Sequence, residues 1–313
     1  MRYVLKKAGI FILTLFVISV LIFIAFQIIP GDPTARMLGT QATPEKVAAL
    51  REQLGLNSPG IVRYFRWLTG FLKGDFGTSY TYNMPVGSLL SGKLAITGAL
   101  TLLSFCIVIL FAFPIGILRA RFAHSIPDRI SMVLNQLIMS IPPFFIGILF
   151  TYVFGLVLKL FTPGRFIPHS EDPAGFWSFM LFPALAIALP KSAMVVKLFR
   201  SSMVREMSED YVRTAYSRGN SRWQVLGRHV MRNAIIPVIT FLAVTLVDII
   251  AGSIIIEQVF AIPGLGRLLL SSIIGRDLPV VQTIVMIIAF AVITINYMAD
   301  ISYKYIDPRI RFR

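Results

Sequence analysis

An all-α, polytopic membrane fold with six transmembrane helices is predicted for this chain, and three observations predict it. The 313 residues are 56% hydrophobic with a mean hydropathy of +0.76, more apolar surface than a soluble globule can hide. Five uncharged or nearly uncharged runs are long enough to cross a bilayer core, and a weaker sixth lies between the second and third of the later four. The basic residues then alternate along the loops. Segments 2–7, 119–129, 200–232 and 304–313 hold 3, 3, 7 and 4 Lys+Arg, against 2 and 2 in the short loops 159–172 and 257–277. The 32–93 segment holds 7, but long segments translocate whatever their charge.

The first run, Ala8 to Gly31, spans about 36 Å as a helix, with Arg2, Lys6 and Lys7 before it. It is too long for a cleaved leader and no small-x-small site follows, so an uncleaved anchor with a cytoplasmic N-terminus is expected. Residues 32–93 form a helical extracytoplasmic insertion. Thr43, Pro44 and Glu45 open a helix that stops at Gly55. Ser58 and Pro59 open another, with Ile61, Phe65, Leu68 and Leu72 on one face, closed by the turn Gly74-Asp75-Phe76-Gly77. Some 60 residues bury little core alone, so these helices are expected to lie against the membrane part or a partner.

The remaining spans are Leu94 to Leu118, Ile130 to Leu158, the weaker Pro173 to Pro190 extended to Lys197, Asn233 to Ile256, and Leu278 to Ala299. The expected organisation is thus 1–31, 32–93 and a membrane core 94–313 that carries a cytoplasmic loop 200–232. Pro114, Pro142-Pro143, Pro183, Pro190 and Pro237 fall in or at the ends of spans, where each removes a backbone donor. Kinked helices around a cavity suit a transporter.

A polar island, Ser208 to Pro237, organises the rest. Ser208 is read as an N-cap with Glu209 and Asp210 in the first turn, where carboxylates suit the helix dipole. Tyr211, Val212, Ala215 and Tyr216 share one face, and Gly219 suits the left-handed position that ends such a helix. Ser221 with Gln224 spells a capping box for a second helix, lined by Trp223, Leu226, Val230 and Ala234. A knob pinned between two spans can carry force from a partner outside the bilayer.

Much chemistry is excluded. The net charge of +15 is explained by topology, so nucleic acid is not a partner; lipid is. The lone Cys106 permits no internal disulfide, and His124, His169 and His229 are too scattered for a zinc site. No G-x-x-x-x-G-K-[ST], H-E-x-x-H or G-x-S-x-G occurs, so no catalytic residue, metal or bound cofactor is expected on this chain. A channel would need no docking knob, and a membrane enzyme would need convergent ionisable groups that are lacking.

Arg213-Thr214-Ala215 followed by Gly219 resembles the E-A-A-x-x-x-G loop of ATP-binding-cassette (ABC) importer permeases. Arg213 replaces the usual Glu, and Ile-Ile-Pro arrives only at 235–237, as in the peptide/nickel branch and its first permease subunit. Pro30-Gly31-Asp32-Pro33, Gly74-Asp75-Phe76-Gly77, the stretch Gly252 to Gly266, Arg276-Asp277 with Pro279 and Gln282, and Asp307-Pro308-Arg309-Ile310-Arg311 follow in the family's order. The resemblance implies a type I importer permease fold and half of a translocation pathway. Its partners would be a homologous second permease, two ATPase subunits holding ATP and Mg, and an extracytoplasmic substrate-binding protein, in a bacterial or archaeal plasma membrane. Peptides are the implied cargo, with nickel or metal–chelator complexes as the alternative.

The same resemblance makes the first helix of the island the coupling helix, so Glu209, Asp210, Tyr211, Arg213, Thr214, Ala215, Arg218 and Gly219 are its ATPase-coupling residues. Pathway or gate candidates are Pro142, Pro143, Asp248, Glu257 and Phe260. Asp248 stands deep in an apolar run, where a charge costs about 2.5–3.5 kcal/mol. It either lines the pathway or locks two helices, with Asn135 or Gln136 as partners. Glu257 ends its span at the outer interface, where the segment to Gly266 either gates the pathway, touches a binding protein or simply caps the helix.

Overall fold

A computed structural model describes residues 2–28, 34, 38, 43–53 and 55–306. The motifs at 30–33 and 307–311 lie outside the described residues. Among the described residues there is no strand, only one isolated antiparallel bridge between Thr78 and Pro85.

The helices are α1 Arg2–Ile28, α2 Pro44–Gln53, α3 Gly60–Leu72, α4 Val86–Leu90, α5 Lys93–Arg121, α6 Ile126–Ser140 and α7 Pro143–Phe150. A π-helical stretch, Thr151–Val157, prolongs α7. There follow α8 Pro173–Glu206, α9 Asp210–Ser217, α10, α11 Ile236–Val259, α12 Leu265–Ile274 and α13 Leu278–Ile306. α10 opens as Arg222–Gln224, becomes π-helical over Val225–Val230 and ends as Met231–Ala234.

Five described helices are long and apolar enough to span a membrane, and α6 with α7 and its π-helical extension counts as a sixth where the bent pair is taken as one span. That pair departs from the single kinked span expected over Ile130 to Leu158. Its halves meet at 92°, because Pro142 takes an extended conformation (ψ 141°) and Pro143 opens a new helix. Conversely, the weakest run in the sequence becomes the most enclosed helix. α8 runs unbroken through Pro183 and Pro190, both buried, and continues to Glu206. Its polar character reflects burial in protein instead of lipid, where small and polar residues are favoured at helix contacts.

The chain divides into two compact units. One comprises Met1–Ile96 with Gly264–Thr294. Within it α3 packs on α1 through Tyr64, which is buried edge-on between Phe16 and Phe23 and shares a 2.8 Å hydrogen bond with the Ser19 hydroxyl. Trp67 stacks beside Phe23, and Arg63 donates to Gln27 at 3.0 Å. Of the apolar face Ile61, Phe65, Leu68 and Leu72, the first, second and fourth are exposed on this chain, and the contact with α1 is made by Tyr64 and Trp67, with Phe71 beside them. The same unit holds a fully buried carboxylate, Asp277, just before α13. It accepts from the Ser79 hydroxyl and from the backbone N–H groups of Tyr80 (3.0 Å) and Thr81 (3.2 Å). Burial pushes the neighbouring Tyr80 phenol above its usual pKa.

The other unit, Thr97–Pro263 with Ile295–Arg313, is built around α8. Gly116 of α5 lets Phe199 of α8 lie directly against the backbone, and Phe113 meets the same ring edge-on at 5.0 Å. α6, α7 and α11 also pack on α8.

Candidate functional site

The polar island folds as a capped knob. α9 begins at Glu209, whose backbone is extended (ψ 149°), so the N-cap falls one residue after the expected Ser208. Ser208 instead turns its hydroxyl back to the Arg205 carbonyl at 2.6 Å. At the other end Gly219 is left-handed, with φ +79°. Its N–H donates to the Tyr216 carbonyl and that of Asn220 to the Ala215 carbonyl, the paired bonds of a Schellman cap. The Asn220 side chain adds a second bond to Ala215 at 2.9 Å. The capping box follows at once: Ser221 N–H donates to the Gln224 side chain at 2.8 Å, and Gln224 N–H to the Ser221 hydroxyl at 3.4 Å. Stop and start signals thus follow each other within the six residues Gly219 to Gln224, and the turn between α9 and α10 is fixed.

The two faces of α9 separate cleanly. Val212 and Ala215 are buried, against the π-helical stretch whose Val225, Leu226 and Val230 are buried too. Asp210, Arg213, Thr214, Arg218 and Gly219 are exposed, as is the cap residue Glu209. Tyr211 is half-buried and donates to the Glu206 carboxylate at 2.8 Å. Burial, helped by Glu206 and Glu209 and opposed by Asn233, holds its phenol above the usual value. Of the eight expected coupling residues, six therefore present themselves outward, while Ala215 seats the helix and Tyr211 ties it to the end of α8. Trp223, expected among the buried residues of α10, is exposed. Its ring is covered by the Arg121 guanidinium 4.0 Å away, a cation–π contact that joins the end of α5 to the knob.

An ion cluster missed by sequence reasoning underlies this end of the chain. Asp128, near the start of α6, has a wholly buried carboxylate. Arg200 of α8 grips it in two-pronged fashion, Nε to Oδ1 at 2.8 Å and Nη2 to Oδ2. Arg119 of α5 approaches at 3.4 Å, and the His124 backbone N–H adds a bond at 3.1 Å. One acid therefore holds three helices. The available signal was that Asp128 is the single acid in the basic segment 119–129, though nothing local names Arg200 as its partner.

The other expected residues lie along α11. Pro142 and Pro143 make the sharp break, which aims α7 at the far end of α11. There Gly147 admits Phe260 and Ile256 so closely that a Cβ would sit 3.1 and 3.2 Å from them. Phe260 is buried beside Phe161 at 6.0 Å. Glu257, in the last turn of α11, faces inward and is wholly buried, with the Thr97 hydroxyl of α5 donating to it at 2.5 Å. Asp248 stands apart in the middle of α11. Neither Asn135 nor Gln136 reaches it: Asn135 donates to the Ala193 carbonyl at 2.8 Å, and Gln136 accepts from Lys197. Its partner is Lys191 of α8 at 2.7 Å.

The fold is that of a polytopic helical membrane protein with a rigidly capped polar helix held between two of its apolar helices. The chain belongs to the family of binding-protein-dependent transport system inner membrane components, whose model matches residues 112–312; the N-terminal model of the same family matches residues 1–101. A protein of Brucella abortus (strain 2308) whose name assigns it to a peptide transport system as a permease is 36% identical, over 99% of this chain and 98% of its own. The glutathione transport system permease protein GsiC of Salmonella paratyphi A is 37% identical over the full length of both. Among solved structures, the inward-facing MetNI methionine ABC transporter covers 70% of this chain and 96% of its own, with a TM-score of 0.57 and 18% identity. An amino acid ABC transporter covers 70% and 94% with a TM-score of 0.52. These two share the fold. The chain is an ABC importer permease with the type I importer fold.

Proposed function

We propose that this chain forms half of the pathway of an ATP-driven importer of small peptides. A homologous second permease supplies the other half, an extracytoplasmic protein delivers the cargo, and two separate ATPase subunits bind ATP and Mg and do the hydrolysis. The chain itself performs no chemistry. It sits in the inner or single plasma membrane with both termini and α9 on the cytoplasmic side, as the Lys/Arg distribution supports.

The observation that carries the mechanism is the outward polar face of α9 on a doubly capped turn. ATPase closure pushes on that face. The caps keep α9 from unwinding, so the displacement passes to α8 through the Tyr211–Glu206 bond and to α11 through α10. The aligned relatives named for peptide and glutathione transport support the cargo class.

The test is uptake by the assembled complex in proteoliposomes, with its binding protein inside the assay. ATP-dependent accumulation of a labelled dipeptide is expected. Accumulation of nickel or a nickel chelate in place of the dipeptide would transfer the cargo to the metal branch. Uptake that proceeds without nucleotide would replace the importer with a channel.

A further inference from the structure

Lys191 and Asp248 are a charge pair in an unusual place. Asp248 lies near the midpoint of α11, about 17 Å from either end at ~1.5 Å per residue, and Lys191 is similarly central on α8. A charge at that depth is tolerated when it faces protein or water. Yet the pair is not enclosed by this chain: the Asp248 side chain is 47% exposed and that of Lys191 18%. A half-exposed carboxylate has no favourable contact with acyl chains, so its open side meets water or the second permease. The surroundings agree. On α8 the exposed Lys197 bonds Gln136 of α6 at 3.3 Å, and Asn135 is spent on a backbone carbonyl. Gln136, Asn135 and Lys197 thus add polar groups within two turns of Lys191 along α8, while the neighbouring exposed residues of α11, Val244 and Ile255, are apolar.

We propose that the Lys191–Asp248 pair is a charge-reading station on the translocation pathway, specific for a solute that carries both an ammonium and a carboxylate. The inference rests on the importer reading above and deepens it. In the empty pathway the two side chains satisfy each other. A zwitterion brings the same two charges, so Lys191 can exchange Asp248 for the solute's carboxylate while Asp248 takes its ammonium. Ion pairing is then conserved through the passage. A solute lacking either charge leaves one side chain unpaired, which disfavours its transit. An unexposed pair could not make this exchange, and a pair at the helix ends would be dissipated by bulk water.

The test uses the same proteoliposomes with three probes: alanyl-alanine, its N-acetylated form and its C-terminal amide. Lys191→Met, Asp248→Asn and the double variant K191M/D248N are compared with the wild-type chain, and ATP hydrolysis is read in the same vesicles to verify assembly. The wild type is expected to prefer the zwitterion by about tenfold or more. Lys191→Met should lose discrimination against the amide, and Asp248→Asn against the acetylated probe. The double variant carries no orphaned charge, so it should assemble and yet treat all three probes alike. An equal loss on every probe, or a double variant with wild-type preference, overturns the proposal. Should the wild type transport none of the three, the peptide cargo fails separately. The station is then judged by Ala251→Cys in a Cys106→Ser background, on the next exposed turn of α11. Rapid reaction with a charged, water-borne thiol reagent supports an aqueous lining, and protection from it overturns one.

Discussion

Gly219→Val changes the cap of α9 without disturbing any packing. A Cβ built on Gly219 meets nothing within 4 Å, so crowding contributes nothing. What remains is the backbone, at φ +79°. A left-handed conformation costs an ordinary L-residue about 1–2 kcal/mol, and a β-branched one lies at the upper end or beyond. That is small beside the stability of a helical bundle, so the protein should still insert and assemble. It is large beside the local equilibrium that holds the turn, shifting its population by a factor of about 5–30. The two bonds of the Schellman cap depend on that one dihedral. In proteoliposomes the variant should therefore hydrolyse ATP while accumulating substrate about tenfold more slowly. Gly219→Asn is the control, since asparagine visits the left-handed region readily; it should couple nearly as well as glycine. Normal uptake by Gly219→Val would refute the reasoning. So would equal damage from valine and asparagine, which would mean that a side chain at 219 obstructs a partner and that the dihedral is irrelevant.

Two further predictions concern the helices behind the knob. Asp128→Ala leaves Arg200 and Arg119 facing each other without their acid, at a cost of about 3–5 kcal/mol, visible as a lowered thermal midpoint in detergent; the double variant D128L/R200M should recover much of it. Gly116→Val would place its Cβ about 2.6 Å from the Phe199 ring, so the helices must separate, costing about 1–3 kcal/mol; trimming the ring in G116V/F199L should restore part of the loss.

Local chemistry was legible in the sequence, and long-range pairing was not. The left-handed Gly219 and the Ser221–Gln224 box follow from residues adjacent in the chain, and both stand where they were expected. The uncharged runs likewise located α1, α5, α11 and α13, since length and hydropathy are sufficient for lipid. The same reasoning could not choose the packed face of α3. In a membrane protein an apolar stripe is equally at home against lipid, so the stripe of Ile61 and Phe65 gave no sign that Tyr64 and Trp67 make the contact with α1. Prolines 142 and 143 announced a kink but not a 92° break, which depends on how α7 seats against Phe260. Asp128 lies 72 positions from Arg200, and Asp248 lies 57 from Lys191. Each carboxylate was visible as a type of residue; which base would meet it was decided by the folded bundle.

The cage around Asp277 has a temporal side. Ser79, Tyr80 and Thr81 leave the ribosome 198 to 196 positions ahead of the carboxylate that fastens them. At about 5–20 residues per second the strap waits roughly 10–40 s for its buckle. During that interval the Thr78–Pro85 turn has only its own internal bonds, backbone to backbone and from the Tyr82 N–H to the Ser79 hydroxyl, and it is completed almost as late as the polypeptide itself.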